Sequence, residues 1–362
     1  MNQLSPFIAE QVQAARIMVV GCGALGNEVL KNLVLMGVQH LVLVDFDRIE
    51  HDNLSRSVLF TRADADNNRL KVDAAAERLL QMNPSLHITT INGDVCYDVG
   101  LGLLRKMNVV IGCVDNRWAR YCINRLCMRA GIPWVDGGID GLEGTARVFI
   151  PGENCYACNL GPEGLKDLVY HLPCAGLIRQ NIEAGKVPTT SIVASIIGAI
   201  QAQEALKLAT NSEATSLCGK MFYYEGQHLT SKIVDFKAYD DDCPVHEHWT
   251  DIRPSDISTN STVAKVLRTT NGNAFCLTND CFVDYVENRK TGEKTIVNCP
   301  GHCVTVAHPA EYYQHEYRVI DAAFPYPDLT LSQLGIPSND VLHVQSAQED
   351  YYIELNDGRN DI

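Results

Sequence analysis

Arg16-Ile17-Met18-Val19-Val20-Gly21-Cys22-Gly23-Ala24-Leu25-Gly26 is the stretch that decides the fold. A short apolar run leads directly into a Gly-x-Gly-x-x-Gly turn. Helical spacing follows through Leu30, Leu33 and Val34 to Gly37, a natural helix end. Residues 40–45 read as a second buried strand closing on Asp45, nineteen residues after Gly26. Glycines let backbone N–H groups approach a phosphate at a helix N-terminus, and an acid at the next strand end takes a ribose hydroxyl. Taken alone, this fingerprint suits a nicotinamide dehydrogenase as well, or a merely structural turn.

Working outward, the pattern predicts a helix over residues 66–82 that stops at Asn83-Pro84. Strands at 86–91 and 107–113, a helix at 117–130 and a strand at 132–136 follow. Alternating strands and helices predict an α/β, doubly wound, Rossmann-like sheet. Residues 145–150, 221–224 and 232–236 read as further strands. Between 151 and 187 the pattern breaks down, and structureless loops of that size are usually functional or disordered. A small-residue helix follows at 190–209. After Asp240-Asp241-Asp242-Cys243-Pro244 and a polar stretch, a second, short-stranded domain is expected over residues 258–362.

The totals bound the function. The 362 residues are 46% hydrophobic and 20% charged, a globular composition long enough for two domains. No run reaches the roughly 18 consecutive apolar residues of a spanning helix. No basic-then-apolar leader opens the chain, so the expectation is a soluble, cytoplasmic protein with no membrane partner. Thirty Lys+Arg against 44 Asp+Glu gives −14, which argues against a nucleic-acid partner. Without a secretory signal, the 14 cysteines point to thiols, metal ligands or catalysis rather than disulfides. Cys22, Cys96, Cys113, Cys122, Cys127 and Cys218 lie singly and read as small core residues.

Just past the second strand, the segment from Asp45 and Asp47 to Asn53-Leu54-Ser55-Arg56 carries acids, an amide and an arginine. Lys71 opens a helix, and Asp115-Asn116 ends the fourth strand. Carboxylates with Arg and Lys around a phosphate site are the parts that triphosphate and magnesium chemistry needs. A hydride-transfer enzyme has no use for them.

In this order, together with Arg120, Asn124, Cys155/Cys158 and the helix from Ser195 to Lys207, these residues resemble the ubiquitin-activating-enzyme superfamily (the ThiF/MoeB-type adenylation domain). That superfamily includes the adenylyltransferases of molybdopterin and thiamine sulfur carriers, and the resemblance covers about residues 14–246. It implies a nucleotide site of Gly21, Gly23, Gly26, Asp45, Asp47, Asn53, Arg56, Lys71, Asp115 and Asn116 in an adenylation domain over residues 1–250. Asp45 would bind ribose, Asn53, Arg56 and Lys71 the phosphates, and Asp115 would position Mg2+. A carrier protein's C-terminal carboxylate would attack the ATP α-phosphate, giving an acyl-adenylate and pyrophosphate. Members with an N-terminal arm carry there an arginine that completes the neighbouring subunit's site. Here the first arginine is Arg16, so either Arg16 or a partner subunit serves, or the site is incomplete.

Cys155-Tyr156-Ala157-Cys158 and Cys243-Pro244-Val245-His246 are two distant half-sites that suit a closed, tetrahedral Zn2+, with free thiols as the alternative. The family usually has four cysteines here, so His246 replaces the last, and His248 is a substitute. Cys276, Cys281, Cys299 and Cys303, with His302 nearby, form another candidate four-ligand set or a β-hairpin with partly buried thiols.

Cys174, in Leu172-Pro173-Cys174-Ala175-Gly176, lies in the irregular loop at 151–188. A reactive cysteine needs exposure and a lowered pKa, and a lone loop cysteine is more often inert. The resemblance assigns it the thioester step of activating enzymes. The tail from Leu329 to Val344, then residues 351–355, resembles the end of the ubiquitin-fold domain that recruits a conjugating enzyme, with a generic α+β appendage as the alternative. The implied protein is a compact activating enzyme for a ubiquitin-like protein. It resembles either those of bacterial antiphage operons or the catalytic subunit of a heterodimer, and family analogy makes it a homodimer or heterodimer. Its rivals are a sulfur-carrier adenylyltransferase and a non-catalytic carrier-binding subunit.

Overall fold

Five strands run parallel: β1 (Arg16–Val20), β2 (His40–Val44), β3 (His87–Ile91), β4 (Val109–Gly112) and β5 (Trp134–Asp140), in the order β3-β2-β1-β4-β5. β6 (Glu143–Phe149), β7 (Lys220–Glu225) and β8 (Thr230–Asp235) extend the sheet by antiparallel pairing. The structure, a computed structural model, describes residues 6–170, 189–210, 217–236, 238–306, 308 and 311–358. Helices are α1 (Pro6–Ala14), α2 (Ala24–Met36), α3 (Arg62–Asp66), α4 (Lys71–Met82), α5 (Leu101–Leu104), α6 (Arg117–Ala130), α7 (Tyr156–Tyr170) and α8 (Ser191–Ala209).

The apolar runs of β1, β2 and β4 exist because both faces of the sheet are covered. Side chains alternate across a strand. Ile17 and Val19 therefore meet Val29 and Leu33 of α2, whereas Met18 and Val20 meet the face carrying Cys122 and Leu126 of α6. This places a doubly wound, Rossmann-like sheet beneath the glycine turn, as the sequence predicts. α8 is by length and composition apolar enough to cross a membrane, but it packs on α2 and on β4–β6.

Three elements differ from expectation. α1 precedes β1, where only a lead-in is legible. The helix expected over 66–82 starts only at Lys71, because Asn68 takes a left-handed φ of 49° and separates α4 from the short α3 that ends at Asp66. The irregular loop begins as α7, kinked at Gly161, whose φ of 70° and ψ of 174° no helix accommodates. Residues 171–188, Cys174 among them, lie outside the described residues.

The C-terminal part begins at β9 (Arg253–Pro254), which pairs in parallel with β16 (Tyr351–Glu354). Between them lie α9 (Val263–Thr269), β10 (Ala274–Cys276), β11 (Phe282–Asn288), β12 (Lys294–Pro300), β13 (Tyr312–Tyr317), β14 (Val319–Ile320) and β15 (Val341–Gln345). One sheet runs β14-β10-β15-β16-β9 and the other β12-β11-β13. Val263 and Val266 of α9 share a core with Phe275, Leu342, Val344 and Ile353. The expected short helix near 329 is a single 3-10 turn, Ser332–Leu334, and the two strands after it are present.

The two parts are tied together. Asp340 Oδ1 accepts the Leu101 N–H at 2.8 Å, and Arg105 pairs with Glu354 at 2.8 Å. Trp249 stacks on Tyr352 with centroids 4.5 Å apart, beneath the Arg129 guanidinium.

Candidate active site and metal centre

The glycine turn is built by close contact. A Cβ on Gly26 would sit 1.9 Å from Gly21 O. One on Gly21 would sit 2.5 Å from Cys113 O, at a φ of +94°. Neither position admits a side chain, so β1, α2 and the end of β4 close on one another. Gly23 is the opposite case. A Cβ there meets nothing within 4 Å, and Gly23 caps α2 without any side-chain hydrogen bond. The first N–H groups of α2 thus receive no side-chain cap, and an uncapped helix N-terminus after a glycine turn is a cradle suited to phosphate oxygens.

Asp45, at the end of β2, holds this turn from the side. Its Oδ2 accepts the Cys22 N–H at 2.6 Å and its Oδ1 accepts the Asp47 N–H at 2.8 Å. Burial raises the Asp45 carboxyl, partly offset by the Lys71 ammonium. Lys71 opens α4, and its Nζ lies 2.7 Å from Asp47 Oδ2. Burial works against that ammonium, yet Asp45 and Asp47 outweigh it and hold Lys71 above its ordinary value. Asn53 and Arg56 follow on a 3-10 turn, His51–Ser55, where Arg56 donates to Asp52 O at 2.9 Å and to Asp52 Oδ2 at 3.3 Å. Asp115 and Asn116 come after β4, and Asn116 Oδ1 caps α6 by accepting the Ala119 N–H at 2.8 Å. Every nucleotide residue expected from the sequence therefore lies at the C-terminal edge of the parallel strands, where open α/β sheets bind ligands.

Two residues of the site are not singled out in the sequence. Asn27, fully buried on α2, donates to Cys22 O and Gly23 O and accepts the Leu59 N–H at 2.7 Å. It joins the phosphate turn to the segment that follows Arg56. Asp136, buried in β5, receives Arg120 Nε at 2.9 Å and also pairs with Arg147. A polar residue on an otherwise apolar helix face, and an acid inside an apolar strand, are the signals that mark them.

Arg16 is the first residue of β1, and its backbone N–H goes to Asn108. It stands beside His40, at the edge opposite the glycine turn, about 13 Å of strand away. Arg16 therefore does not complete this chain's own site.

The metal set is brought together. Cys155 Sγ lies 3.6 Å from Cys158 Sγ and 3.8 Å from Cys243 Sγ, and Cys158 Sγ lies 3.2 Å from His246 Nε2. Zinc–sulfur bonds of about 2.3 Å in a tetrahedron place sulfurs about 3.8 Å apart, so the donors fit Zn2+. The Cys243 thiol's hydrogen bond lowers Cys155 to about 5, against its burial. His248 packs instead against Gly131. The second cysteine set is a correction: its members are not gathered. Cys276 lies on β10 in one sheet. Cys281 donates to Glu316 at 3.3 Å in the other, among Val283, Val286 and Val304. Among the described residues only Cys155, Cys158, Cys243 and His246 converge.

Residues 3–245 match the ThiF family, so the chain belongs to it. The SAMP-activating enzyme E1 of Haloferax volcanii is 31% identical over 245 residues, 68% of this chain and 85% of that protein. The molybdopterin-synthase adenylyltransferase of Haemophilus influenzae is 31% identical over 223 residues, 60% of this chain and 83% of that one. Among solved structures, the crystal structure of E. coli MccB with ATP superposes with a TM-score of 0.54 at 21% identity, over 66% of this chain and 69% of the other, a likeness of fold.

Proposed function

As a member of the ThiF family, this chain, we propose, activates a ubiquitin-like protein by ATP-dependent adenylation of its C-terminal carboxylate. The observation that carries this reading is the open N-terminus of α2 beside Asp45, Lys71–Asp47 and Arg56 at one sheet edge. A carboxylate oxygen attacks the α-phosphorus, the bond to the bridging oxygen breaks, and pyrophosphate leaves. Asp45 would hold the ribose, while Asn53, Arg56 and Lys71 take the phosphates. Asp115 would hold Mg2+, which neutralises phosphate charge. Arg56 and Lys71 must exchange Asp52 and Asp47 for phosphate oxygens, a substitution of one anion for another that keeps both cations paired.

The second step of the reading is transfer of the acyl group from AMP to the Cys174 thiolate as a thioester, then to a conjugating enzyme on the C-terminal domain. What supports that dock is a small sheet with its first and last strands parallel and adjacent and α9 packed on it, as suits a ubiquitin fold. Similarity to a molybdopterin-synthase adenylyltransferase favours a second reading, in which a sulfur carrier is adenylated and no thioester forms. Intact-mass and non-reducing gel assays with ATP, Mg2+ and candidate carriers separate them. An adduct sensitive to dithiothreitol, lost in Cys174→Ala while pyrophosphate release persists, supports thioester transfer. Pyrophosphate release with no adduct in either protein supports the sulfur-carrier reading, and neither product with any carrier refutes adenylation.

A further inference from the structure

The crevice of an open α/β sheet lies where strand order reverses, here between β1 and β4. Two helices start at it, α2 after Gly23 and α6 after Asn116. The charges gathered there are unbalanced for an anionic ligand. Asp45, Asp47, Asp52 and Asp115 stand against Lys71 and Arg56, and both cations already face carboxylates, at 2.7 Å and 3.3 Å. Arg120 and Arg147 are both committed to the buried Asp136. Arg48 is held by Asn68 O at 2.8 Å. Lys71 and Arg56 reach phosphate only by releasing Asp47 and Asp52, so a cation with no partner of its own adds positive charge to a triphosphate at no such exchange.

Arg117 meets that need. It is the first residue of α6, immediately after Asn116, and it is exposed. Among the described residues its guanidinium has no hydrogen bond or ion pair. Helical side chains lean toward the N-terminus of their helix, a direction that for the first residue of α6 is the end following β4. One turn on, Arg120 joins Arg147 on the buried Asp136 of β5.

Resting on the adenylation reading above, we propose that Arg117 binds the outer phosphates of ATP from the β4 side and holds the departing pyrophosphate. The pair it forms is charge-assisted and exists only with a nucleotide that has β- and γ-phosphates. AMP, which lacks them, gains nothing from it.

The test is to measure ATP and AMP binding and carrier-dependent pyrophosphate release for Arg117→Ala and Arg117→Lys, with Lys71→Ala and Arg16→Ala alongside. In Arg117→Ala, ATP affinity falls about tenfold or more while AMP affinity changes less than about twofold, and lysine restores part of the loss. Arg16→Ala binds ATP as the parent does. Unchanged ATP affinity in Arg117→Ala, with loss in Lys71→Ala, overturns the role of Arg117 and leaves adenylation standing. An equal loss of ATP and AMP binding, or a loss in Arg16→Ala, also overturns it. If Lys71→Ala too retains ATP binding and pyrophosphate release, the adenylation reading itself fails.

Discussion

Asp340 joins the two parts of the chain through a carboxylate that burial makes expensive to ionise. It is 6% exposed, it accepts the Leu101 N–H at 2.8 Å, and burial raises its carboxyl from 3.8 to about 6. Below about pH 4 the group is protonated in both folded and unfolded chains and contributes nothing to the pH dependence. Between about 4 and 6 only the folded chain keeps the proton, so stability falls as pH rises through that window. Above it the folded chain carries the full penalty, about 3 kcal/mol at roughly 1.4 kcal/mol per pH unit. Asp340→Asn keeps an Oδ1 acceptor for Leu101 and removes the ionisation. Urea unfolding followed by tryptophan fluorescence, with Trp249 at this junction, measures the effect. The variant is more stable than the parent by up to about 3 kcal/mol at pH 8, and the gain shrinks to about half by pH 5. A variant less stable than the parent at pH 8, or a gain independent of pH, refutes the reasoning.

Asn27→Ala removes a buried amide that serves Cys22 O, Gly23 O and the Leu59 N–H, leaving those backbone groups unsatisfied. It lowers stability by about 2–3 kcal/mol in denaturant titration, and it weakens ATP binding because the phosphate turn loses its brace. With Cys155, Cys158, Cys243 and His246 read as zinc ligands, Cys243→Ser removes one donor and a strong chelator removes the ion they would hold. The thermal midpoint falls, and metal analysis reads less than one zinc per chain.

The parallel sheet is legible in the sequence because strands covered on both faces must be apolar throughout, as β1, β2 and β4 are. The nucleotide edge is legible for a related reason: glycines with no room for a Cβ and acids at strand ends are local features. The rest is not local. Leu101 and Asp340 are 239 residues apart, and Asn27 meets Leu59 across 32. No periodicity announces such pairs. The break before Lys71 depends on one left-handed asparagine inside a helical pattern. The spacing of Cys276, Cys281, Cys299 and Cys303 imitates a ligand set because spacing ignores that Cys276 joins one sheet while Cys299 joins the other and Cys303 sits in a 3-10 turn.

The described residues on either side of 171–188 lead back to two places, the Cys/His set and the sheet edge. α7 leaves the centre at Cys155 and Cys158, whose partners Cys243 and His246 lie 88 residues on and lead into β9. The chain re-enters the described structure at Thr189, which bridges to Gly141, and Thr190 caps α8 while donating to Gly141 O at 3.3 Å. Gly141 follows the C-terminal end of β5, the same edge that presents Gly23, Lys71 and Asp115. On the thioester reading proposed above, Cys174 falls between the Cys155–Cys158–Cys243–His246 set and the sheet edge in chain order. The proposed reading then predicts that Cys243→Ser lowers carrier adduct formation on Cys174 more than pyrophosphate release, because Asp45, Lys71 and Asp115 lie after β2, at the start of α4 and after β4, away from the four Cys/His donors; equal losses in the two assays refute it.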